Sequence, residues 1–279
     1  MIGSMQKIAM QGIRGSFHHE AAQKLVDADP VECVTFQDVF DAVIDGSVDY
    51  GVVAIENSIH GSINHVYRLL ERHNLWIAGE ITLSIEQYLI GAEKVSVEEL
   101  NNPEAEVRTM FPAFAQCELW LEEHLPLAKR AELYDTAFSV QNVMDEGNQM
   151  AVAIAVKCAA KEYNGVIIAG PINDDPHNYT RFILLTKERQ TAEQTNRTSI
   201  IMTTGHTEGA LYRALGAFAE NGINLSKLDS HPIRSDKRHY SFYIDLEAGV
   251  EDEHVKQALE AIRNMGCTIK VLGSYNVEA

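Results

Sequence analysis

The chain has 279 residues, 46% of them hydrophobic, which is enough for a sizeable core in one large domain or two ordinary ones. Lys and Arg number 23 against 40 Asp and Glu, giving a formal net charge of −17 at pH 7. A charge of this sign repels nucleic acid and anionic membranes, so we expect neither as a partner. A small anionic ligand would have to be held by a few aimed cations and backbone N–H groups.

Four cysteines lie far apart in the sequence, without a C-x-x-C pair: Cys33, Cys117, Cys158 and Cys267. Their spacing indicates neither a zinc site nor a disulfide framework. The N-terminus lacks the apolar run of a signal peptide, and no segment approaches about 18 consecutive apolar residues. We therefore expect a cytoplasmic protein with reduced thiols. Residues 1–4 have the character of a cloning remnant ahead of a natural Met5.

The first 80 residues alternate short apolar runs with helical patterns: KIAMQG then AAQKLV, VECVTF then DVFDAVIDG, and YGVVAIENS then INHVYRLLERH. This alternation is typical of an α/β sheet. From Pro103 to Lys161 the pattern is mostly helical, before the strands GVIIAG and YTRFILLT. We predict a domain at 5–187 with two lobes, the second inserted in the first. Lobe one covers about 5–80 and 165–187, and lobe two about 81–164.

After Leu185 the chain turns polar, which predicts a linker at 188–197. The segment 198–279 then shows the strand SIIMTT and a helix with Leu211, Leu215 and Phe218 at i, i+4 and i+7. INLSKLDSHPI, HYSFYIDLE, a helix from about Glu251 and the strand CTIKVLGSY follow. The order βαββαβ predicts a ferredoxin-like module.

The strand YTRFILLT has polar residues at its start. A period of two puts Thr180 and Phe182 on one face and Arg181 on the other. A hydroxyl and a guanidinium at a strand end are candidates for ligand binding. The alternative is a surface Thr and Arg that merely open a strand.

Three further strand-to-helix turns offer polar groups: IENS at 55–58, GIRGSF at 12–17 and DTAFS at 135–139. Polar groups at the ends of parallel strands face the crevice where α/β sheets bind ligands. Each turn has a simpler explanation as a helix N-cap, by Asn57 or Ser58, by Ser16 and by Thr136 respectively. Together with YTRF they suggest one anion-binding crevice.

The sequence lacks the motifs of metal-dependent, nucleotide-binding and serine-hydrolase sites. His18, His19, His60 and His65 have no metal-ligand spacing, so we expect no metal. The sequence also has no G-x-x-x-x-G-K-[ST], G-x-G-x-x-G or G-x-S-x-G motif for nucleotide, dinucleotide or serine-hydrolase chemistry.

Six motifs follow one another along the chain: G-x-x-G-S-F-H-x-E-A-A, Y-G-V-V-A-I-E-N-S-x-x-G, D-T-A, N-x-T-R-F, G-A-L-Y and N-L-S-K-L-D-S-H-P. In this order they resemble prephenate dehydratase with an ACT module. ENS and NxTRF in this order are highly specific. The resemblance implies two lobes similar to type II periplasmic binding proteins, with prephenate in the cleft between them. It also implies no organic cofactor or metal, feedback by phenylalanine, and a homodimer or homotetramer formed through the ACT modules.

The resemblance implies that prephenate loses water and carbon dioxide together to give phenylpyruvate. Thr180 matches the essential threonine, which we expect to donate a hydrogen bond to the leaving hydroxyl. Asn57 and Ser58 would hold that hydroxyl or a carboxylate, and Glu56 would orient the site. The expected substrate-binding residues are Ser16, Thr136, Arg181 as a carboxylate partner and Phe182 as a wall for the ring.

The resemblance also assigns a phenylalanine site in the ACT module. Its expected members are Gly209, Ala210, Leu211, Asn224, Asp229, Ser230, His231 and Pro232. The family commonly has Glu-Ser-Arg-Pro where this chain has 229–232, so we expect phenylalanine inhibition that survives but is weaker.

Two departures fall in the catalytic part. The chain has Gln87 where the family often has a histidine, and Met110-Phe111-Pro112 where it commonly has Ser-His-Pro. Two alternatives remain open: an arogenate dehydratase of the same fold, acting on the amino analogue of prephenate, and a non-catalytic two-lobed amino-acid sensor.

Overall fold

A computed structural model describes residues 5–190, 194–205, 207–232 and 240–277. The chain divides into two units. Unit 1 contains Met1–Ile63 and Thr82–Phe182, and unit 2 contains Asn64–Ile81 and Ile183–Ala279. Part of the sequence linker, 191–193, and the segment 1–4 lie outside the described residues.

The described residues form fifteen strands and ten helices. The strands are β1 (Lys7–Gln11), β2 (Asp29–Cys33), β3 (Tyr50–Asn57), β4 (Gly61–Ser62), β5 (Trp76–Ser84), β6 (Tyr88–Gly91), β7 (Glu106–Thr109), β8 (Lys129–Glu132), β9 (Ala151–Ala155), β10 (Val166–Ala169), β11 (Tyr179–Thr186), β12 (Arg197–Thr203), β13 (Leu225–Pro232), β14 (Tyr240–Leu246) and β15 (Thr268–Tyr275). The helices are α1 (Phe17–Leu25), α2 (Phe36–Asp45), α3 (Asn64–Arg72), α4 (Val97–Leu100), α5 (Phe111–Gln116), α6 (Glu118–His124), α7 (Thr136–Glu146), α8 (Lys157–Glu162), α9 (Ala210–Glu220) and α10 (Glu253–Asn264).

The first sheet has the strand order β2-β1-β3-β11-β5, with β4 paired to β3. β1 runs parallel to both β2 and β3. Residues 51–55 of β3 are all buried, as expected for a parallel strand covered on both faces. The carboxyl ends of β1 and β3 therefore lie at the same edge of the sheet, where the GIRGSF turn and ENS follow them.

The second sheet has the order β10-β6-β9-β7-β8. β9, with the sequence AVAIA, is fully buried and is parallel to β7 and antiparallel to β6. β10 pairs antiparallel with β6. The assignment of 165–169 to lobe one is therefore wrong. A short apolar run fits either sheet, so its sequence does not show which strand it will pair with.

The C-terminal module is a four-stranded antiparallel sheet with the order β13-β14-β12-β15. α9 and α10 bury their apolar faces in one core with this sheet, and Phe218 is fully buried there. Leu211 and Leu215 pack against the same core, as their spacing predicted. The α/β fold class with a ferredoxin-like module is confirmed.

Helix α1 starts at a turn that only glycine can form. Gly15 has φ of +83°, and a Cβ there would lie 3.0 Å from the Cα of Ala159 in α8. Ser16 then caps the helix by accepting a hydrogen bond from the His19 N–H. Helix α7 is capped by Asp135, whose side chain accepts from the Phe138 N–H, so the prediction of Thr136 as the N-cap is wrong by one residue.

Candidate active site

A cavity of about 360 Å³ lies within unit 1, a volume typical of small-molecule pockets. Its walls come from strands of the first sheet and from turns and helices that follow strands of both sheets. The lining residues are Gln11, Gly12, Ser16, Phe17, His18, Phe36, Ala54, Asn57, Ile63, Ile85, Gln87, Met110, Pro112, Ala113, Gln116, Tyr134, Asp135, Thr136, Thr180 and Phe182. We call this cavity the cleft.

Thr180 is the buried hydroxyl of the cleft, with 8% of its surface exposed. Its Oγ1 accepts a hydrogen bond of 3.0 Å from Asn57 Nδ2. A hydroxyl has one proton and two lone pairs. Because Asn57 Nδ2 occupies one lone pair and cannot accept a proton, the hydroxyl proton of Thr180 is left to donate elsewhere. Asn57 thereby makes Thr180 a hydrogen-bond donor.

Both ends of the Asn57 side chain are engaged. Nδ2 also lies 2.8 Å from Asn178 Oδ1 and 3.0 Å from the Tyr179 carbonyl. Oδ1 accepts from the backbone N–H groups of Ile59 and His60, at 3.0 Å each. This bonding is an Asx turn at the end of β3, and no helix begins there. The alternative of an N-cap by Asn57 or Ser58 is therefore wrong, and Asn57 positions Thr180.

Ser58 belongs to the same turn but not to the cleft lining. Its Oγ accepts from the Tyr179 N–H at 3.0 Å and lies 3.4 Å from the His177 carbonyl. The hydroxyl thus ties the ENS turn to the chain that precedes Thr180. Its role as a direct substrate ligand stays a prediction.

Arg181 and Glu56 form an ion pair of 3.1 Å, with 12% and 27% of their side chains exposed. Strand alternation places Arg181 on the face of β11 opposite Thr180 and Phe182. Neither member of the pair lines the cleft. Their position favours a structural role, and the proposed contact of Arg181 with a substrate carboxylate stays a prediction.

Two helix N-termini meet at the cleft. Ser16 at the start of α1 and Thr136 at the start of α7 each have 7% of their surface exposed, and both line the cavity. The first-turn N–H groups of an α-helix have no intrahelical partner, and the helix dipole adds positive potential there. The predicted turns GIRGSF and DTAFS are therefore brought together as two anion-attracting elements.

The described cleft lining contains no Lys or Arg, and Asp135 is its one carboxylate. Asp135 is engaged as the cap of α7, with its Oδ1 2.9 Å from the Phe138 N–H. An anionic ligand in this cleft would be bound by hydroxyl and backbone N–H donors.

His18 lines the cleft, a place that was not predicted from the sequence. Its Nε2 accepts a hydrogen bond from the Ala54 N–H at 3.3 Å, which leaves the ring proton on Nδ1. Its ring meets that of Phe182 edge-on at 5.1 Å. Burial lowers the pKa of His18 to about 4, so the imidazole is neutral near pH 7. The feature of the sequence that could have indicated this place is that His18 is the second residue of a helix that follows a Gly-rich turn.

Gln87 lies in the cleft wall with 3% of its surface exposed. It directly precedes β6, and its Nε2 donates to Gln116 Oε1 at 3.0 Å. Of the two other departures, Met110 lines the cleft, whereas Phe111 is 65% exposed and lines a second cavity of about 290 Å³. Phe182, 1% exposed, forms part of the apolar wall of the cleft, and its contact with a substrate ring stays a prediction.

No group of three His, Cys, Asp or Glu side chains within the described ranges is arranged to hold a metal ion. In the same ranges no helix is long and apolar enough to cross a bilayer.

The residues expected to bind phenylalanine fall on separate elements. Gly209, at φ of +71°, precedes α9, which Ala210 and Leu211 begin. Asn224 Nδ2 donates to Glu247 Oε2 at 2.6 Å. On β13, Asp229 and His231 are half-buried on one face while Ser230 and Pro232 are exposed on the other. His206 and residues 233–239, which flank these elements, lie outside the described part of the chain.

The inner face of β13 contacts α3. His231 lies 3.2 Å from Asp229, stacks on Tyr67 of α3 with ring centroids 5.8 Å apart, and meets Tyr243 edge-on at 4.9 Å. Lys270 on β15 donates to three carbonyls at the end of α3, those of Leu70, Glu71 and His73, at 2.7 to 3.1 Å. Helix α3, which follows the ENS turn in the chain, is thus fixed to the four-stranded sheet.

Comparison with known proteins agrees with this architecture. The sequence profile of the family described as "Prephenate dehydratase" matches residues 8–190, and that of the "ACT domain" matches residues 200–264. "Arogenate dehydratase/prephenate dehydratase 2, chloroplastic" from Arabidopsis thaliana is 37% identical over 289 residues, which cover 99% of this chain and 74% of that protein.

Two solved structures are similar over nearly the whole chain. A prephenate dehydratase from Arthrobacter aurescens in complex with L-Phe has a TM-score of 0.82 at 28% identity, covering 97% of this chain and 90% of that one. A protein described as "GqqA- a novel type of quorum quenching acylases" has a TM-score of 0.85 at 26% identity, covering 98% of both chains.

Proposed function

We propose that this chain, which belongs to the prephenate dehydratase family and has a C-terminal ACT domain, converts prephenate to phenylpyruvate under feedback control by phenylalanine. The ring carboxylate leaves as carbon dioxide, and its electron pair enters the ring as the ring hydroxyl departs. One proton joins that hydroxyl, so prephenate and a proton give phenylpyruvate, carbon dioxide and water. This carbon–oxygen lyase reaction serves phenylalanine biosynthesis and involves no net redox change.

The observation that supports this activity best is the Asn57–Thr180 pair. Hydroxide is a poor leaving group, so the departing ring hydroxyl needs a hydrogen-bond or proton donor. Thr180 Oγ1 accepts from Asn57, which leaves its proton free to donate into the cleft. A threonine hydroxyl is a weak acid, so Thr180 stabilises the developing charge as a positioned donor, and the proton consumed is replaced from solvent.

The remaining cleft residues fit a dianionic ring. The N-termini of α1 and α7, with the hydroxyls of Ser16 and Thr136, supply donors for carboxylates. Phe182 and neutral His18 cover the ring, and an uncharged imidazole avoids trapping the carboxylate that must leave as neutral carbon dioxide. Burial of a carboxylate without a direct counter-ion also favours its decarboxylation, because the charge is dispersed into the ring.

Regulation would act through α3. Phenylalanine bound near 209–211 and 229–232 would bias the position of β13, whose Asp229–His231 face packs on Tyr67. The ENS turn precedes α3 in the chain, so a shift of α3 reaches Asn57 and with it the Thr180 donor. A ligand can shift such an equilibrium only by its differential affinity for the two states. We place the protein in the cytoplasm, as a homodimer or homotetramer formed through ACT domains.

The similarity to a quorum-quenching acylase raises a second activity, which the geometry does not favour. Acyl transfer by a hydroxyl needs an adjacent base. In the described cleft, Ser16 Oγ accepts from the His19 N–H and Thr180 Oγ1 accepts from Asn57, so the hydroxyl–base contact is missing from both. A sensor without catalysis would bind its ligand through the same donors, so turnover distinguishes it from an enzyme.

Turnover of prephenate and arogenate, measured side by side, tests the proposal. Phenylpyruvate absorbance in base follows the first substrate, and phenylalanine release follows the second. The proposal predicts phenylpyruvate formation that phenylalanine inhibits. Binding of an amino acid without turnover of either substrate would support the sensor instead.

A further inference from the structure

Gln87 has a buried hydrogen-bond acceptor without a donor. Its backbone N–H donates to Asn173 Oδ1 at 3.3 Å, its carbonyl accepts from the Ile172 N–H at 2.8 Å, and its Nε2 donates to Gln116 Oε1. Its Oε1 has no hydrogen-bond partner within the described ranges. Buried polar atoms in native proteins are nearly always paired, so an unpaired one in a cleft wall indicates a place for a ligand group.

The chemistry of that ligand group follows from the atom. A carboxamide oxygen accepts hydrogen bonds and cannot donate them. Prephenate and arogenate differ at one group of the side chain, which is a ketone in the first and an ammonium in the second. The ketone oxygen only accepts, whereas the ammonium has three protons to donate. An unpaired acceptor is therefore complementary to the ammonium.

Gln87 and Thr180 line the cleft from different segments of the chain. Thr180 lies on β11 of the first sheet, while Gln87 lies on the connection from β5 of that sheet to β6 of the second. In both substrates the ring hydroxyl and the side chain are attached at opposite ring positions. A hydroxyl held at Thr180 therefore directs the side chain away from Thr180, and the hydrogen-bonded amide pair Gln87–Gln116 is the part of the cleft lining to which we assign it.

We propose that Gln87 determines substrate choice: its carboxamide oxygen accepts a hydrogen bond from the ammonium of arogenate, so the cleft uses arogenate in addition to prephenate. This inference rests on the proposed function, because it assumes that Thr180 holds the leaving hydroxyl. Gln116 sets the orientation of the amide. If both amides reverse together, Gln116 donates to Gln87 Oε1, and Gln87 Nε2 becomes a donor suited to the ketone of prephenate.

Two substitutions move the substrate preference in opposite directions. Gln87→Met keeps the length of the side chain and removes the acceptor. It should lower kcat/KM for arogenate relative to prephenate by about tenfold or more, the size expected for one hydrogen bond to a charged group. The carboxylate of Gln116→Glu can only accept, so it locks Gln87 Oε1 toward the cleft and should raise the same ratio.

The double variant separates this mechanism from a simple charge effect. If the carboxylate of Gln116→Glu acts through Gln87, its effect on the ratio disappears in the Gln87→Met background. If it acts by attracting the ammonium, the effect persists and the assigned role of Gln116 is wrong. Gln257→Met, the same chemical change at an exposed position of α10, is the matched control and should leave both substrates unchanged.

The outcomes also separate this inference from the proposed function. Wild-type turnover of prephenate with none of arogenate overturns the role of Gln87 and leaves the dehydratase activity intact. So does an unchanged ratio in Gln87→Met. Turnover of neither substrate by the wild-type protein overturns the proposed function itself. Thermal unfolding of each variant shows whether the change acts through the fold, which would lower kcat/KM for both substrates equally.

Discussion

Replacing Asn57 by aspartate tests the claim that Asn57 makes Thr180 a donor. The new carboxylate keeps an acceptor for the Ile59 and His60 N–H groups but has no proton for Thr180 Oγ1. The Thr180 hydroxyl then donates to that carboxylate and is withdrawn from the substrate. Loss of one catalytic donor of this kind lowers kcat by about 10²- to 10³-fold, or roughly 3 to 4 kcal/mol.

The cost to stability follows from the same contacts. The two protons on Asn57 Nδ2 serve three acceptors at 2.8 to 3.0 Å, and the variant loses both. At about 0.5 to 1.5 kcal/mol for each net hydrogen bond, unfolding should be easier by about 1 to 3 kcal/mol. Circular dichroism and urea unfolding measure this, and steady-state production of phenylpyruvate measures kcat.

Asn178→Asp is the matched control. It introduces the same charge one hydrogen bond away, while its Oδ1 still accepts from Asn57 Nδ2 and Ser58 Oγ. Folded Asn178→Asp should retain most of the wild-type kcat. If Asn57→Asp also retained it, or if both variants lost it equally, the proposed orientation of Thr180 would be wrong.

Three further predictions concern other parts of the chain. Glu56→Gln removes the carboxylate that forms an ion pair with the largely buried Arg181, so it should lower the unfolding temperature and change kcat/KM by less than about threefold. A large loss of kcat/KM at an unchanged unfolding temperature would instead put the pair in the catalytic machinery. Burial lowers the pKa of His18 from 6.5 to about 4. Between these pH values the unfolded chain binds more protons than the folded one. His18 therefore lowers the free energy of unfolding by up to about 3 kcal/mol as the pH drops through that window. Urea unfolding at pH 7 and about pH 4.5 should show a smaller loss in His18→Gln than in the wild type, and equal losses would contradict the assignment. Lys270→Met removes three hydrogen bonds to the end of α3. Calorimetry should show that phenylalanine binds this variant with similar affinity, while kinetics should show weaker inhibition. Unchanged inhibition would exclude α3 as the element that transmits phenylalanine binding to the cleft.

Periodicity and turn composition predicted the α/β alternation and the C-terminal βαββαβ order because both depend on local sequence. Alternation along YTRF agrees with the cleft lining, which contains Thr180 and Phe182 but not Arg181. The sheet joined by β10 could not be predicted, since GVIIAG fits either sheet and pairing with β6 is a long-range event.

The candidate site was predictable where a motif places polar groups at strand ends. Ser16, Thr136, Asn57 and Thr180 all line one cleft. The motif could not show that Asn57 is engaged at both ends of its side chain, which makes it a positioning residue. His18 and Gln87 were not predicted to line the cleft, because their places in its wall depend on the fold, and the unpaired Oε1 of Gln87 has no sequence motif.

The association of α3 with the C-terminal sheet also could not be predicted from the sequence. Residues 64–81 fall in the unit that contains the ACT domain, although the family profile counts them in the dehydratase part. Their side chains give an ordinary amphipathic pattern, and nothing local indicates that Lys270 or His231, both far along the chain, contact them.

The central claim is that the Thr180 hydroxyl donates to the leaving group, and the kinetics of three variants at this position test it most directly. Thr180→Ser keeps the hydroxyl, Thr180→Val keeps the shape, and Thr180→Ala removes both. We predict that single-turnover formation of phenylpyruvate falls by about 10²-fold or more in the Val and Ala variants, with the Ser variant much closer to the wild type and all three folded. Wild-type rates in Thr180→Val would contradict the claim, because that variant has the packing of threonine without its proton.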